Sequence, residues 1–166
     1  MIARSLNAPE FLRTLLRNLL PDGRLDTRHL LETFQAFYRE NGESWTDRFA
    51  YREAGHQLML QAFLQRVVNG SGIVEREYAL GSGRADLLIR WKHPKGEQRV
   101  VFELKVLHKS LKRTLAEGQA QLSEYAERCA AHEAHLVVFH QKRGFAARRA
   151  FRKKRLKGRD FFIWSL

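Results

Sequence analysis

Three residues carry the chemistry this sequence offers: Asp86 in "GSGRADLLIRW", and Glu103 and Lys105 in "RVVFELKVL". Both stretches are otherwise apolar and read as core strands, where an unpaired ionised group costs several kcal/mol, roughly, unless it has a partner or a purpose. Strand alternation puts Glu103 and Lys105 on one face and Phe102, Leu104 and Val106 on the other. If the two strands are neighbours in matching register, Asp86 and Glu103 offer oxygen ligands to one hard divalent cation, leaving positions for water and a phosphate oxygen. Lys105 beside them is a compact cation able to touch the attacking water or the charge that develops on phosphorus. Those are the requirements of phosphodiester hydrolysis. A bare Glu-x-Lys is, on its own, more often an ion pair on a solvated strand face, so the case rests on the elements around it.

The elements that must position these residues follow from periodicity. Residues 8–20 place Phe11, Leu12, Leu15, Leu16, Leu19 and Leu20 at helical spacing until "PDG" stops the run. Asp26 or Thr27 caps a second helix that carries Leu30, Leu31, Phe34, Phe37 and Tyr38 and ends at "NGES"; a third runs from about Asp47 to Val68. After "NGSG" the pattern changes to strands. "IVEREYAL", "RADLLIRW" and "RVVFELKVL" succeed one another, the last two joined by a hairpin at "KHPKGEQ". A helix from about Leu111 to Ala131, closed by "HEAH", precedes the strand "HLVVFH"; then come a basic helix or loop and a last strand "FFIWSL". This order implies an α/β fold with a mixed central sheet, antiparallel at the hairpin and with a crossover to a parallel neighbour.

The chain has 166 residues, 44% of them hydrophobic, enough for one sizeable core. The single cysteine, Cys129, excludes an internal disulfide and a cysteine-rich zinc site. No run reaches the roughly 20 apolar residues of a membrane span, and the start of the chain reads as a surface helix rather than a targeting peptide. A soluble, cytoplasmic protein is the expectation. Of the net charge of +12, ten positive charges fall in residues 142–159, "KRGFAARRAFRKKRLKGR", which hold no acid, so the rest of the chain carries only +2. Such a patch attracts polyanions, nucleic acid foremost; its bland alternative is a solvated basic face.

Taken together, the motif order resembles the PD-(D/E)XK nuclease superfamily. Asp86, Glu103 and Lys105 match its central motif, with Ala85 where the name has proline; Gln121 and Tyr125 in "AEGQAQLSEYAERC" match its Gln-x-x-x-Tyr signature. Glu53 in "YREAGHQLML" is the best match to its helix acid, with Glu75 and Glu77 as alternatives. More narrowly, residues 45–166 are similar to the nuclease-like C-terminal domain of certain prokaryotic AAA-type ATP-binding proteins, although this chain has no Gly-Lys-Ser or Gly-Lys-Thr and hence no P-loop.

The resemblance implies a restriction-endonuclease-like core over residues 46–166, with residues 1–45 as a helical extension packed on it. It implies Mg2+, or Mn2+ in its place, held by Asp86, Glu103 and Glu53, with Lys105, Gln121 and Tyr125 completing the site. Nucleic acid, DNA above RNA, is the expected substrate, held by Arg84 and by Lys142, Arg143, Arg148, Arg149, Arg152, Lys153, Lys154 and Arg155. An ATPase partner or a homodimer is compatible with this reading. The alternative is a silent domain that keeps the fold and serves nucleic-acid binding or an ATPase. His56, near Glu53 on the third helix, reads as a core or surface histidine rather than a residue lining the site, and Cys129 as packed on an apolar helix face.

Overall fold

The computed structural model describes residues 16–46, 52–69, 71–80, 83–107, 110–140 and 151–166, except the side chains of 41–46, 52–54, 78–80 and 83–84. Most of the expected helix over 8–20 therefore lies outside the described residues.

Six strands form one mixed sheet: β1 (Gly72–Leu80), β2 (Gly83–His93), β3 (Gly96–Leu107), β4 (Glu133–His140), β5 (Arg152–Leu156) and β6 (Arg159–Ser165), in the order β1-β2-β3-β4-β6-β5. The first three form an antiparallel meander, β3, β4 and β6 run parallel, and β5 returns antiparallel to β6. Among the described residues three helices flank the sheet: α1 (Thr27–Thr46), α2 (Arg52–Val68) and α3 (Leu111–Arg128). The fold is α/β, consistent with a restriction-endonuclease-like architecture.

One face of the sheet carries the larger core. Leu30, Leu31 and Phe34 of α1 and Met59, Leu60, Leu64, Val67 and Val68 of α2 pack on Leu87, Ile89, Trp91, Val100, Phe102, Val137, Phe139 and Trp164. Asp26 caps α1, accepting from His29 N–H at 2.9 Å. Thr27 does not cap; its hydroxyl donates to Glu133. α1 also runs on through "NGES" to Thr46: a lone interior glycine costs a helix about 1 kcal/mol, too little to end one that packing supports.

The segment before α1 is fastened to this face by buried polar groups. The Gln98 side chain imitates a strand, accepting from Leu25 N–H at 2.8 Å and donating to Leu25 C=O at 3.2 Å and to Glu133 at 3.0 Å. Trp91 Nε1–H donates to Gly23 C=O at 2.9 Å. His135 is fully buried between Phe102 and Phe162, and its Nδ1 accepts from Trp164 Nε1–H at 3.0 Å. "HEAH" thus opens β4 and does not close a helix. α3 stops at Arg128, followed by Cys129 as C-cap and Ala130 in the left-handed region at φ 49°.

The other face is covered by α3, which is capped by Ser110 and packs Leu122, Tyr125 and Ala126 over Val101, Ala134, Leu136 and Val138. At Gly118 the helix backbone lies close against the sheet. A Cβ there would lie 2.6 Å from Leu136 Cδ1, and Leu136 is wholly buried. Gly118→Val therefore lowers stability by roughly 2 kcal/mol through overpacking, whereas Ala120→Val, on the exposed side of the same turn, changes it by less than about 0.5 kcal/mol. Urea unfolding of the two variants checks this.

Candidate active site

The sequence groups Asp86, Glu103 and Lys105, and the sheet does bring them together. The β2–β3 ladder ends with Leu87 opposite Phe102. One step further the same register sets Asp86 opposite Glu103, and there the ladder gives way to a side chain: Asp86 Oδ2 accepts the backbone N–H of Leu104 at 2.7 Å. A carboxylate in this bond is oriented by the sheet itself rather than by a loop. Glu103 shares the α3 face with Val101, and Asp86 shares it with Leu88.

Glu103 is nearly sealed off, with its side chain 4% exposed. Its Oε1 meets Lys105 Nζ at 2.7 Å, while Oε2 is buried with no hydrogen-bond partner. Burial, and secondarily the charge of Asp86, push the Glu103 carboxyl up to about 7 against the pull of Lys105. Burial also raises Asp86 above the usual carboxylate range. The Leu104 N–H and the Lys105 charge oppose that rise, and the charge of Glu77 on β1 adds to it. The two carboxylates thus lie within electrostatic reach of each other in a low-dielectric setting, with one ammonium between them and solvent.

This donor set fits a hard divalent cation. Both groups are oxygen ligands, one oxygen is orphaned, and the raised proton affinity records negative potential that a dication would neutralise. Among the described residues no three His, Cys, Asp or Glu close on one point, so these two carboxylates would hold an ion that keeps several waters, as Mg2+ does.

The remaining sequence candidates are placed less tightly. Gln121 and Tyr125 lie on α3, on the site's side of the sheet. Gly118, one turn before Gln121, sits on Leu136, which pairs with Glu103; Gln121 is exposed and Tyr125 is buried in the α3 core. Glu53 falls in the first turn of α2, a helix packed on the opposite face, and its side chain, like that of Arg84, is outside the described ones. His56 is a core residue, hydrogen-bonded to Tyr38 at 2.9 Å and stacked on Phe139.

The basic segment divides. Lys142, Arg143, Arg148 and Arg149 lie outside the described residues, and Arg152–Arg155 form the exposed edge strand β5 rather than a helix or loop. Lys153 turns to the α1 face, over the Phe162 ring and 3.0 Å from Asp160, so alternation gives Arg152 and Lys154 to the face of the site. β5 stands three strands from β3, roughly 14 Å at the usual strand spacing. Strand pairing here leaves little trace in the sequence because "RKKRL" has no apolar alternation. The legible signal is the "KG" turn at Lys157 and Gly158, both at positive φ, ahead of a hydrophobic strand.

Sheet order and site together define an α/β protein with an acid–acid–lysine centre on adjacent central strands. Residues 52–148, more than half of the chain, match the family model of the PD-(D/E)XK nuclease superfamily, and the chain belongs to that superfamily. Its members generally hydrolyse nucleic acids and typically use divalent metal ions. No curated protein and no solved structure matches the chain. No helix among the described residues is long and apolar enough to cross a membrane.

The elevated Glu103 titration has a stability consequence with a definite sign. Between its ordinary value of 4.5 and about 7, the folded protein holds a proton that the unfolded chain has released, so stability falls as pH rises through this window. The size is on the order of 3 kcal/mol. In chelator-treated protein, Glu103→Gln removes that fall: it matches the wild type near pH 5 and unfolds several degrees higher at pH 8. Thermal melts followed by circular dichroism check this, and equal midpoints at pH 8 would mean that Lys105 fully offsets the burial.

Proposed function

We propose that this protein is a metal-dependent nuclease that hydrolyses phosphodiester bonds of DNA, with Mg2+ as the natural ion and Mn2+ as its substitute. The observation that carries the reading is the buried Glu103, whose Oε2 has no partner while Asp86 stands opposite it across the β2–β3 strand pair. A structural ion pair has no need of a second carboxylate or of an orphaned oxygen; a cation site has need of both.

In this reading Asp86 and Glu103 hold the ion, and the bound ion supplies Lewis-acid polarisation of the phosphate and a water of lowered pKa. Asp86 is kept in one rotamer by the Leu104 N–H. Lys105, now 2.7 Å from Glu103, presents its ammonium to the nucleophilic water or to a non-bridging phosphate oxygen, where negative charge grows in the transition state. Gln121, exposed on α3 above the site's face, is assigned to positioning substrate, and Tyr125 to packing that holds the helix. Glu53 belongs to the site on the strength of its motif position alone. Arg84 and the basic residues of 142–155 are assigned to phosphates, contacts that position a strand without reading its bases. The setting we infer from the resemblance is a cytoplasmic protein that acts beside an AAA-type ATPase or as a homodimer.

A second reading has one observation in its favour: Lys105 already neutralises Glu103, as in a silent domain whose charges are structural. Incubating the protein with plasmid and linear DNA, with Mg2+, Mn2+ or chelator, separates the two. Cleavage is expected only with metal, and Asp86→Ala or Lys105→Ala reduces its rate by about two to three orders of magnitude with folding intact. DNA retained without cutting under every ion selects the silent domain and removes the nuclease proposal.

A further inference from the structure

The two helices on the aromatic face run antiparallel: Phe34 and Phe37 of α1 meet Phe63 of α2, and Tyr38 meets His56, nearer the start of α2. Their solvent side leaves an apolar groove of about 740 Å³, with Phe37 on one wall and Leu58, Met59, Ala62 and Phe63 on the other. Leu58 in it is 38% exposed, and Arg66 is its one charged lining residue among those described. A groove of this composition suits an apolar surface rather than a charged ligand. The chain itself leads into it. Asn18, buried, lines the groove and is held there by the Asp26 N–H, which donates to its carbonyl at 2.8 Å. Leu16 and Arg17 before it are helical, and Leu16 is 65% exposed.

We propose that the occupant of this groove is residues 8–15 of the same chain, laid along it as a helix from Asn18 towards the start of α2. Three observations converge on that segment. Its apolar residues have the right phase: Phe11, Leu15 and Asn18 stand at i, i+4 and i+7, on one side of a helix, with Leu12 beside them, while Arg13 and Arg17 share another side. Its point of entry is fixed, because Asn18 precedes α1 and so lies at the end of α2, where Arg66 and Val67 line the groove. Its length matches: a helix from Pro9 to Asn18 measures roughly 14 Å, against roughly 18 Å for α2 from Gly55 to Val67. Laid this way, Phe11, Leu12 and Leu15 leave water against Leu58, Met59 and Phe63, and the far end of the segment braces the first turn of α2, which carries Glu53. This face is opposite the acid–acid–lysine centre, so the inference holds whether or not that centre turns over.

The test takes the full chain with Cys129→Ala and Leu58→Cys and follows the reaction of the new thiol with an aromatic disulfide reagent. Labelling is expected to be about tenfold or more slower than in the same chain carrying Phe11→Asp and Leu15→Asp, which drive the segment off the groove. The protection should be unchanged by dilution and unaffected by Arg13→Asp, on the other side of the helix. Phe11→Ala with Leu15→Ala, which keeps helix propensity, should speed labelling in the same direction, and keeps the test valid should circular dichroism show that the aspartates disturb folding. Equal labelling rates with and without the substitutions at Phe11 and Leu15 overturn the proposal. So does protection that disappears on dilution, which assigns the groove to a second copy of the chain.

Discussion

The arrangement depends on one unfavourable act, the placing of two carboxylates opposite each other at the end of a buried strand pair. Like charges a few ångströms apart in a low-dielectric region cannot both ionise freely, and here a single ammonium, Lys105, offsets them. Everything nearby makes that placement permanent. The Leu104 N–H fixes Asp86, β4 on the far side of β3 and α3 above it exclude water from Glu103, and the meander leaves neither strand room to slip. A slip of one residue would send Glu103 and Lys105 into the aromatic core on the other face.

That core is what allows the site to be unfavourable. The α1–α2 face is closed by Phe34, Phe102, Phe139 and Trp164, and a chain of hydrogen bonds runs across it from Leu25 through Gln98 and Glu133 to Thr27. The larger core lies there, while the α3 face holds the potential that a cation would relieve. The division matches the general tendency of functional sites to be the strained part of an otherwise over-determined fold.

Most of this was legible in the sequence wherever a residue type stood out against its periodicity. Glu103 and Lys105 interrupt an apolar strand, and Asp86 interrupts its neighbour, so both the elements and the shared face follow from alternation. Leu30, Leu31, Phe34, Phe37 and Tyr38 mark α1 in the same way. What escaped were features that depend on tertiary partners. The Gln98 clasp on Leu25 joins residues 73 positions apart, and no local pattern announces it. "HEAH" has the polarity of a helix end, but Thr27 and Gln98 bond the half-buried Glu133 and Trp164 bonds the fully buried His135. β5 is all charge and pairs because β6 offers it an edge; its lysines and arginines also keep that edge from recruiting another chain.

The separation between site and basic edge constrains the substrate. At physiological ionic strength charges are screened within about 8 Å, and β5 is roughly 14 Å of sheet away from β3. The charges of the β5 arginines and lysines are therefore largely screened from a phosphate bound at the carboxylates. They act on a ligand only if it reaches from one place to the other. A nucleic-acid strand carries a phosphate about every 3.4 Å, so some four phosphates span the gap, and Arg152 and Lys154 on the site's face are the side chains in line to meet the far end. A mononucleotide would engage one region or the other. On the proposed reading, this spacing suits a polymeric phosphodiester better than a mononucleotide.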